Sequence, residues 1–371
     1  MADSRKYRVL ALAAEAYGGY GGIAQSTRDL IQALLSIPEI CEVEVLPRLS
    51  REPSPETPEG VWQQAARPGK LAYAFQALKL ALIRPPDVVY CGHAFMAPVA
   101  LLVARLSGAR LVSHVHGLEV WNPLSRTARH GLAASDLLLC VSQYTADKVI
   151  GILDVDPARC AIVYNTLDER FVPGDRFAAR KRFGIKPSAV VLSTVSRLDS
   201  GQRHKGHDHV IPLLSDLAAD IVGLVYLIAG TGDDRERLER LARDTGAADL
   251  VRFVGYVPAE DLPDLYRASD LYVMPSHGEG FGIAFVEAMA SGTPALGLDE
   301  GGASEALRNG ELGRAVDLTD FPAALATALA SDQPGDAELA MRTRTFFGRN
   351  HFQARVAEAM SPVISKVTTK A

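Results

Sequence analysis

Two carboxylates with seven residues between them, Glu279 and Glu287, bracket a glycine-rich turn and the start of a helix. The turn, Ser276-His277-Gly278-Glu279-Gly280-Phe281-Gly282, places three glycines in five residues, so backbone N–H groups can approach a ligand closely. Residues 283–290 read as a helix, closed by Gly292 and blocked by Pro294. Glu279 then falls on the loop and Glu287 inside the helix, where both can face one ligand. A helix N-terminus beside them favours an anion such as a phosphate. Acceptor carboxylates, amide donors and a helix end together suit a molecule carrying both hydroxyls and phosphates.

The elements that must position these groups alternate between apolar strands and amphipathic helices. Residues 7–14 read as a buried strand, followed by the glycine loop 18–22, a helix over 23–35 and a second strand over 43–46. Strand, glycine loop, helix, strand opens a Rossmann-like unit. Gly19-x-Gly21-x-x-Ala24 fits the dinucleotide fingerprint, yet Glu42 and Glu44 lie inside the second strand rather than at its end. Residues 50–69 carry four prolines and read as a loop, and 71–83 as a core helix with Lys70, Lys79 and Arg84 at or near its solvated ends. A strand over 111–116 puts His114 and His116 on one face and runs into Gly117 and Glu119. In the second half, a strand at 190–196 is followed at once by Arg197 and soon after by Lys205-Gly206. A strand at 223–228 leads to Gly230-Thr231-Gly232-Asp233, and one at 251–257 ends near Tyr256. Asp154-x-Asp156 sits in a short acidic connection and reads as solvated surface rather than a metal site.

Glu279 and Glu287, in the context Met274-Pro275-Ser276 before, Glu-Gly-Phe-Gly within and Ser-Gly-Thr-Pro after, resemble the two-glutamate motif of retaining glycosyltransferases of family 4. His116-Gly117-x-Glu119, Val141-Ser142-x-Tyr144-Thr145 and Arg197 with Lys205-Gly206 extend the resemblance over nearly the whole chain. It implies the GT-B fold: α/β, two Rossmann-like domains with parallel sheets facing across a cleft. The expected division is residues 1–170 for the acceptor domain, 171–187 for a linker, 188–345 for the nucleotide-sugar domain, and 346–371 for a helix crossing back.

The resemblance also implies roles. Arg197 and Lys205 hold the donor diphosphate and neutralise the leaving group, since fixed cations are needed where negative charge grows. Arg203 competes with Lys205 for that role, because the connection is longer than usual. Glu287 binds the ribose, and Glu279 with the Phe281, Gly282 and Ile283 amides holds the sugar hydroxyls. Gly21, Gly22 and Gly232 lie on phosphate-side loops, Tyr256 on the segment that reads the nucleobase, and His116 near the reacting centre. No metal or other cofactor is expected. The implied donor is a nucleoside-diphosphate hexose, with GDP-mannose as the best match, and the acceptor a glycan or lipid-linked glycan. The competing reading is an NAD-dependent oxidoreductase or sugar-nucleotide epimerase using the Gly19-Tyr20-Gly21 loop. It leaves the pattern from Arg197 to Gly313 unexplained.

Composition narrows the field. The chain has 371 residues, 48% hydrophobic and 22% charged, a length that suggests two domains. Up to Arg170 there are 17 Lys+Arg and 17 Asp+Glu; the remainder holds 22 against 27, hence −5, so neither half suggests nucleic acid binding. Cys41, Cys91, Cys140 and Cys160 form no C-x-x-C pair and read as buried thiols of a reducing compartment. Arg5, Lys6 and Arg8 precede an apolar run that is too short for a signal peptide. No apolar segment approaches the ~20 residues of a membrane span. The expectation is a cytoplasmic protein, with peripheral contact to the inner membrane face as an option.

Overall fold

The computed structural model describes residues 6–52, 55–330 and 336–368; Arg5 and two residues of the 50–69 loop lie outside them. In chain order the first elements are β1 (Tyr7–Ala13), α1 (Gly22–Leu35), β2 (Ile40–Pro47), β3 (Val61–Gln63), α2 (Lys70–Ile83), β4 (Val88–Cys91) and α3 (Ala97–Ser107). Next come β5 (Arg110–Val115), α4 (Leu118–Trp121), α5 (Arg126–Ala133), β6 (Leu137–Cys140), α6 (Gln143–Leu153) and β7 (Cys160–Ile162). The second half begins with α7 (Arg176–Arg182), β8 (Val190–Val195), α8 (His207–Val210), α9 (Leu214–Asp220), β9 (Leu224–Ala229), α10 (Arg235–Asp244) and β10 (Val251–Gly255). It continues with α11 (Leu262–Ala268), β11 (Leu271–Met274), α12 (Ile283–Ala290), β12 (Ala295–Leu298), α13 (Ala303–Ala306) and β13 (Arg314–Val316). The last helices are α14 (Phe321–Ala330), α15 (Ala337–Phe347) and α16 (Arg349–Thr368).

The chain divides into two compact units, 1–166 with 349–371, and 167–348. The first contains a seven-stranded sheet of order β3-β2-β1-β4-β5-β6-β7, the second a six-stranded sheet of order β10-β9-β8-β11-β12-β13. Every described pairing is parallel. Parallel sheets are covered on both faces, which is why β4, β6, β11 and β12 read as unbroken apolar runs and are buried at every residue. In each sheet the order reverses beside the first strand, between β1 and β4 and between β8 and β11. Ligands of doubly wound sheets bind outside the carboxyl ends of the strands at that reversal.

In the first unit, α1 and α16 cover one face of the sheet. Phe352, Val356, Met360 and Val363 of α16, at helical spacing, enter the core with Leu30, Ile31 and Leu34 of α1. Arg349 donates to Gln32 Oε1 at 2.8 Å at the start of that contact. The other face carries α2, α3, α5 and α6. The helix expected to be core, α2, fully buries only the stripe of Tyr73, Ala77, Leu80 and Ala81, half-buries Ala74, Gln76 and Leu78, and exposes Leu71, Phe75, Leu82 and Ile83.

Residues 171–187 fold into the second unit. Arg176 and Arg180 of α7 both bind the Asp270 carboxylate, Arg180 Nη2 at 2.7 Å, and Asp270 Oδ2 also accepts from the Val191 amide at 2.7 Å. The start of α12 at Ile283 and its end at Ala290 match the sequence reading. Strand β3 inside the expected loop, and helix α5, do not appear in it. Cys91 and Cys140 are buried, whereas Cys160 is half-buried and Cys41 exposed, because Cys41 faces outward near the start of the sheet-flanking strand β2.

Candidate functional site

In the second unit, the loops leaving β8 and β11 meet at the point where strand order reverses. Lys205, at the end of a 3-10 turn over 200–205, reaches across 74 residues of sequence to Glu279. Its Nζ lies 2.5 Å from Glu279 Oε1, and Ser276 Oγ donates to the same oxygen at 2.9 Å. Glu279 is 7% exposed. Burial alone would raise its pKa, but the Lys205 charge and the hydrogen bonds from Lys205 and Ser276 outweigh that and hold the carboxyl below its usual value.

Backbone proximity makes this meeting possible. Gly206 has φ +83°, and a Cβ there would stand 2.0 Å from the Pro275 carbonyl oxygen. The His277 amide donates to His204 O at 2.8 Å, and the Gly302 amide to Glu279 O at 2.8 Å. Beneath, His207 is held between Ser196 Oγ (2.9 Å) and Tyr226 OH (3.1 Å), and burial lowers its pKa to about 4.

Three cations surround the turn, and they differ in how they are engaged. Arg203 pairs with the buried Asp234 at 3.0 Å, which Arg237 also binds. Arg197 is 71% exposed in its side chain, with Asp199 at 3.8 Å. Lys205 is largely buried against Glu279. Arg203 is therefore tied to the fold, while Arg197 presents its guanidinium to solvent.

Glu287 lies on α12, one helical face on from the turn, and is half-buried. Its Oε2 accepts from Tyr266 OH at 2.8 Å. Burial dominates here, and with the Asp168 charge it outweighs the Tyr266 hydrogen bond and Arg170, pushing the pKa up to about 7. The two glutamates thus have opposite electrostatics within one motif.

Gly282 caps α12 with φ +91°, and its carbonyl accepts from the Phe285 amide at 3.1 Å; the Ile283 amide precedes the first intrahelical bond. The Phe281 ring is 2% exposed and stacks edge-on with Phe347 at 5.5 Å, so a ligand can meet its backbone but not its ring. Tyr256 is 64% exposed past the end of β10. Gly232 is packed instead of open: a Cβ there would fall 2.1 Å from the Leu198 carbonyl carbon.

In the first unit, the loops leaving β1, β4 and β5 carry the remaining predicted residues. Gly21, with φ +90°, and Gly22 have nothing within 4 Å of a built Cβ. Arg28 of α1 holds the loop through Ala16 O (2.7 Å) and Gly19 O (2.9 Å). His116 follows β5; its amide donates to Glu119 Oε1 at 2.5 Å, and its Nε2 meets Gly92 O at 3.2 Å. The His114 ring lies 4.2 Å from it, buried, with Nδ1 on Tyr90 OH at 3.0 Å. Among the described residues no three His, Cys, Asp or Glu side chains gather to hold a metal ion. Asp154 and Asp156 end α6 and cap the next turn.

The structure thus joins Lys205 and Glu279 directly. It adds contacts of Ser276, Tyr266 and Asp234, made to partners 3, 21 and 31 residues away; no local pattern marks Tyr266 or Asp234.

Residues 20–171 match the family described as Glycosyltransferase Family 4, and residues 175–339 that described as Glycosyl transferases group 1. The chain is 31% identical over 321 residues to D-inositol 3-phosphate glycosyltransferase 1 of Catenulispora acidiphila, covering 79% of this chain and 74% of that protein. It is 34% identical over 253 residues to the GDP-mannose-dependent alpha-(1-6)-phosphatidylinositol monomannoside mannosyltransferase of Mycolicibacterium smegmatis, covering 64% and 65%. A D-inositol 3-phosphate glycosyltransferase of Geodermatophilus obscurus is 38% identical over 212 residues, but the chain spans only 46% of its length. Among solved structures, Anabaena Alr3699/HepE in complex with UDP and glucose superposes with TM-score 0.75 at 19% identity, covering 96% of this chain and all of that one. WaaG, a glycosyltransferase of lipopolysaccharide biosynthesis, gives 0.70 at 17%, covering 95% and 98%. The two parallel-sheet Rossmann-like units are those of the GT-B fold.

Proposed function

The chain belongs to the family 4, group 1 glycosyltransferases, and from that premise we propose that it moves a hexose from a nucleoside-diphosphate sugar to a glycan or lipid-linked acceptor with retention of configuration. The observation that carries this reading is the Lys205–Glu279 pair, with the exposed Arg197 in the same loop, at the strand-order reversal of the second unit.

A departing diphosphate needs cationic partners in place before the bond breaks. Arg197 and Lys205 supply them, so the leaving-group charge does not call for a metal. Once Lys205 turns to the phosphate, Glu279 is free to accept from sugar hydroxyls, with the amides of Phe281, Gly282 and Ile283 beside it. Glu287 accepts from the ribose, Gly232 supports the loop beneath the nucleotide, and Tyr256 offers a ring for the base. No enzyme nucleophile is assigned. The acceptor hydroxyl oxygen forms its bond to C1 on the face from which the diphosphate leaves, and its proton passes to a leaving phosphate oxygen. His116, Gly21 and Gly22 of the first unit are assigned to acceptor and donor placement.

GDP-mannose is the proposed donor, a choice favoured by the name of the 34% identical mycobacterial relative. The proposed setting is the cytoplasm. No helix among the described residues is long and apolar enough to cross a membrane. A thermal-shift panel of GDP, UDP, ADP, their sugar conjugates and NAD(H) tests the reading, because a ligand of the native state raises the melting point by mass action. Stabilisation by GDP and GDP-mannose is the expected result. Stabilisation by another nucleoside diphosphate reassigns the donor, and by NAD(H) alone overturns the reading.

A further inference from the structure

A second basic cleft lies at the outer edge of the second unit. Strand β10 ends the six-stranded sheet and, among the described residues, pairs only with β9. Helix α10 runs alongside it, and the two enclose a cavity of about 310 Å³. Helical spacing puts Arg235, Glu239, Ala242 and Arg243 on the wall that α10 contributes. From the strand side, Phe253 packs against the core cluster that contains Leu238 and Ala242. The result is an apolar floor under a rim of arginines.

That rim carries charge of one sign. Arg235, Arg243 and Arg252 line the cavity against a single carboxylate, Glu239, which leaves a net +2. Glu239 is engaged by Arg235 at 2.8 Å, and the Arg235 guanidinium carbon stands 5.4 Å from the centre of the Phe253 ring. Arg252 donates to Gly184 O at 3.3 Å, whereas Arg243 is exposed and holds no ion pair among the described residues. A merely solvated helix face mixes its signs. The exposed stripe of α10 outside the cavity does so, with Glu236, Arg240 and Asp244. The cavity stripe does not.

We propose that the α10–β10 cleft is a second anion site, which takes a small phosphate monoester whose body has an apolar face, such as a sugar or aromatic ring. A phosphate monoester carries about −1.5 to −2 near neutral pH, which matches the lining charge. The volume falls at the lower end of small-ligand sites, roughly 300–1,000 Å³. The phosphate meets the guanidinium N–H groups of Arg235, Arg243 and Arg252, whose planar forks suit its oxygens, and the apolar face lies against Phe253. The cleft is separate from the donor loops. Strand β9 stands between β10 and β8, and the cleft extends to Arg243 in the last turn of α10, whereas Arg197 and Lys205 leave the carboxyl end of β8. The inference therefore does not rest on the donor assignment above.

Calorimetric titration of the full chain with phenyl phosphate tests it, with inorganic phosphate and phenol as partial ligands. The variants are Arg235→Gln/Arg243→Gln and Arg243→Glu, at exposed positions and with folding verified by melting curves, and Arg197→Gln as a control for the donor loop. The wild type should bind phenyl phosphate saturably and more tightly than either partial ligand, and added salt should weaken the binding. Affinity should fall about ten-fold or more in both cleft variants and stay unchanged in Arg197→Gln. No saturable binding, cleft variants that bind like the wild type, or a partial ligand that binds as tightly as phenyl phosphate would overturn the proposal. So would a loss confined to Arg197→Gln, which would place the anion in the donor loop.

Discussion

The two glycine turns do opposite work. Both follow the carboxyl end of a strand beside the reversal of strand order and both open a helix, α1 after β1 and α12 after β11. The first-unit turn is open: Gly21 and Gly22 have nothing within 4 Å of a built Cβ, and Arg28 holds the loop from the helix side. The second-unit turn is crowded: a Cβ on Gly302 would lie 2.2 Å from the Gly280 carbonyl oxygen, and a lysine–carboxylate pair is seated on the turn. One set of glycines preserves space beside the backbone. The other lets chain segments touch so that charges from distant loops can meet. The Lys205–Glu279 pair sits where that second kind of contact exists.

Substitutions can break this contrast. The largest effect is expected at Gly206→Ala, where positive φ and a 2.0 Å approach to Pro275 O cannot both be relieved. A stability loss above about 3 kcal/mol is expected in urea unfolding, and tolerance would show that the two loops need not be in contact. Lys205→Ala strands a buried carboxylate and should cost roughly 3 kcal/mol, the usual order for breaking a buried pair. That loss should shrink in mild acid, where the Glu279 carboxyl of the variant, raised by burial and no longer held down by Lys205, protonates.

Glu279→Gln should slow transfer by about 10²–10³-fold, the scale of a lost transition-state hydrogen bond, when initial rates are compared under saturating donor. Glu287 sharpens the contrast through pH. Its folded pKa of about 7 stands above the ordinary 4.5, so the folded state without ligand gains protons and its stability falls as pH rises through that window. A ribose needs the carboxylate as acceptor, so nucleoside diphosphate affinity should rise as pH passes through 7, and Glu287→Gln should flatten the profile. The smallest effect belongs to Gly22→Ala, within about 0.5 kcal/mol in melting experiments because the added methyl meets open space. A large loss there would erase the difference between the turns.

Much of this was legible before the structure. Apolar runs at 7–14, 190–196 and 223–228 mark strands, found at Tyr7–Ala13, Val190–Val195 and Leu224–Ala229, because strands of parallel sheets are buried on both sides. Gly292 and Pro294 mark the end of α12 within its sequence neighbourhood. The Lys205–Glu279 pair was not legible as a pair: its 74-residue separation closes only when β8 and β11 become neighbours. For the same reason Arg203 and Lys205 look interchangeable in sequence, and Asp234, on the far side of β9, separates them. The exposed stripe of α2 was hidden too. Its composition is apolar all round, and only packing reveals which face the sheet takes.

The most direct measurement is nucleoside diphosphate binding by calorimetry on the wild type, Lys205→Ala and Glu279→Gln, paired with turnover of the same samples. Lys205→Ala should lose affinity for the nucleotide, while Glu279→Gln should bind it nearly as the wild type does and turn over far more slowly. Equal, small effects of both substitutions on binding and turnover would contradict the assignment of this pair to the donor.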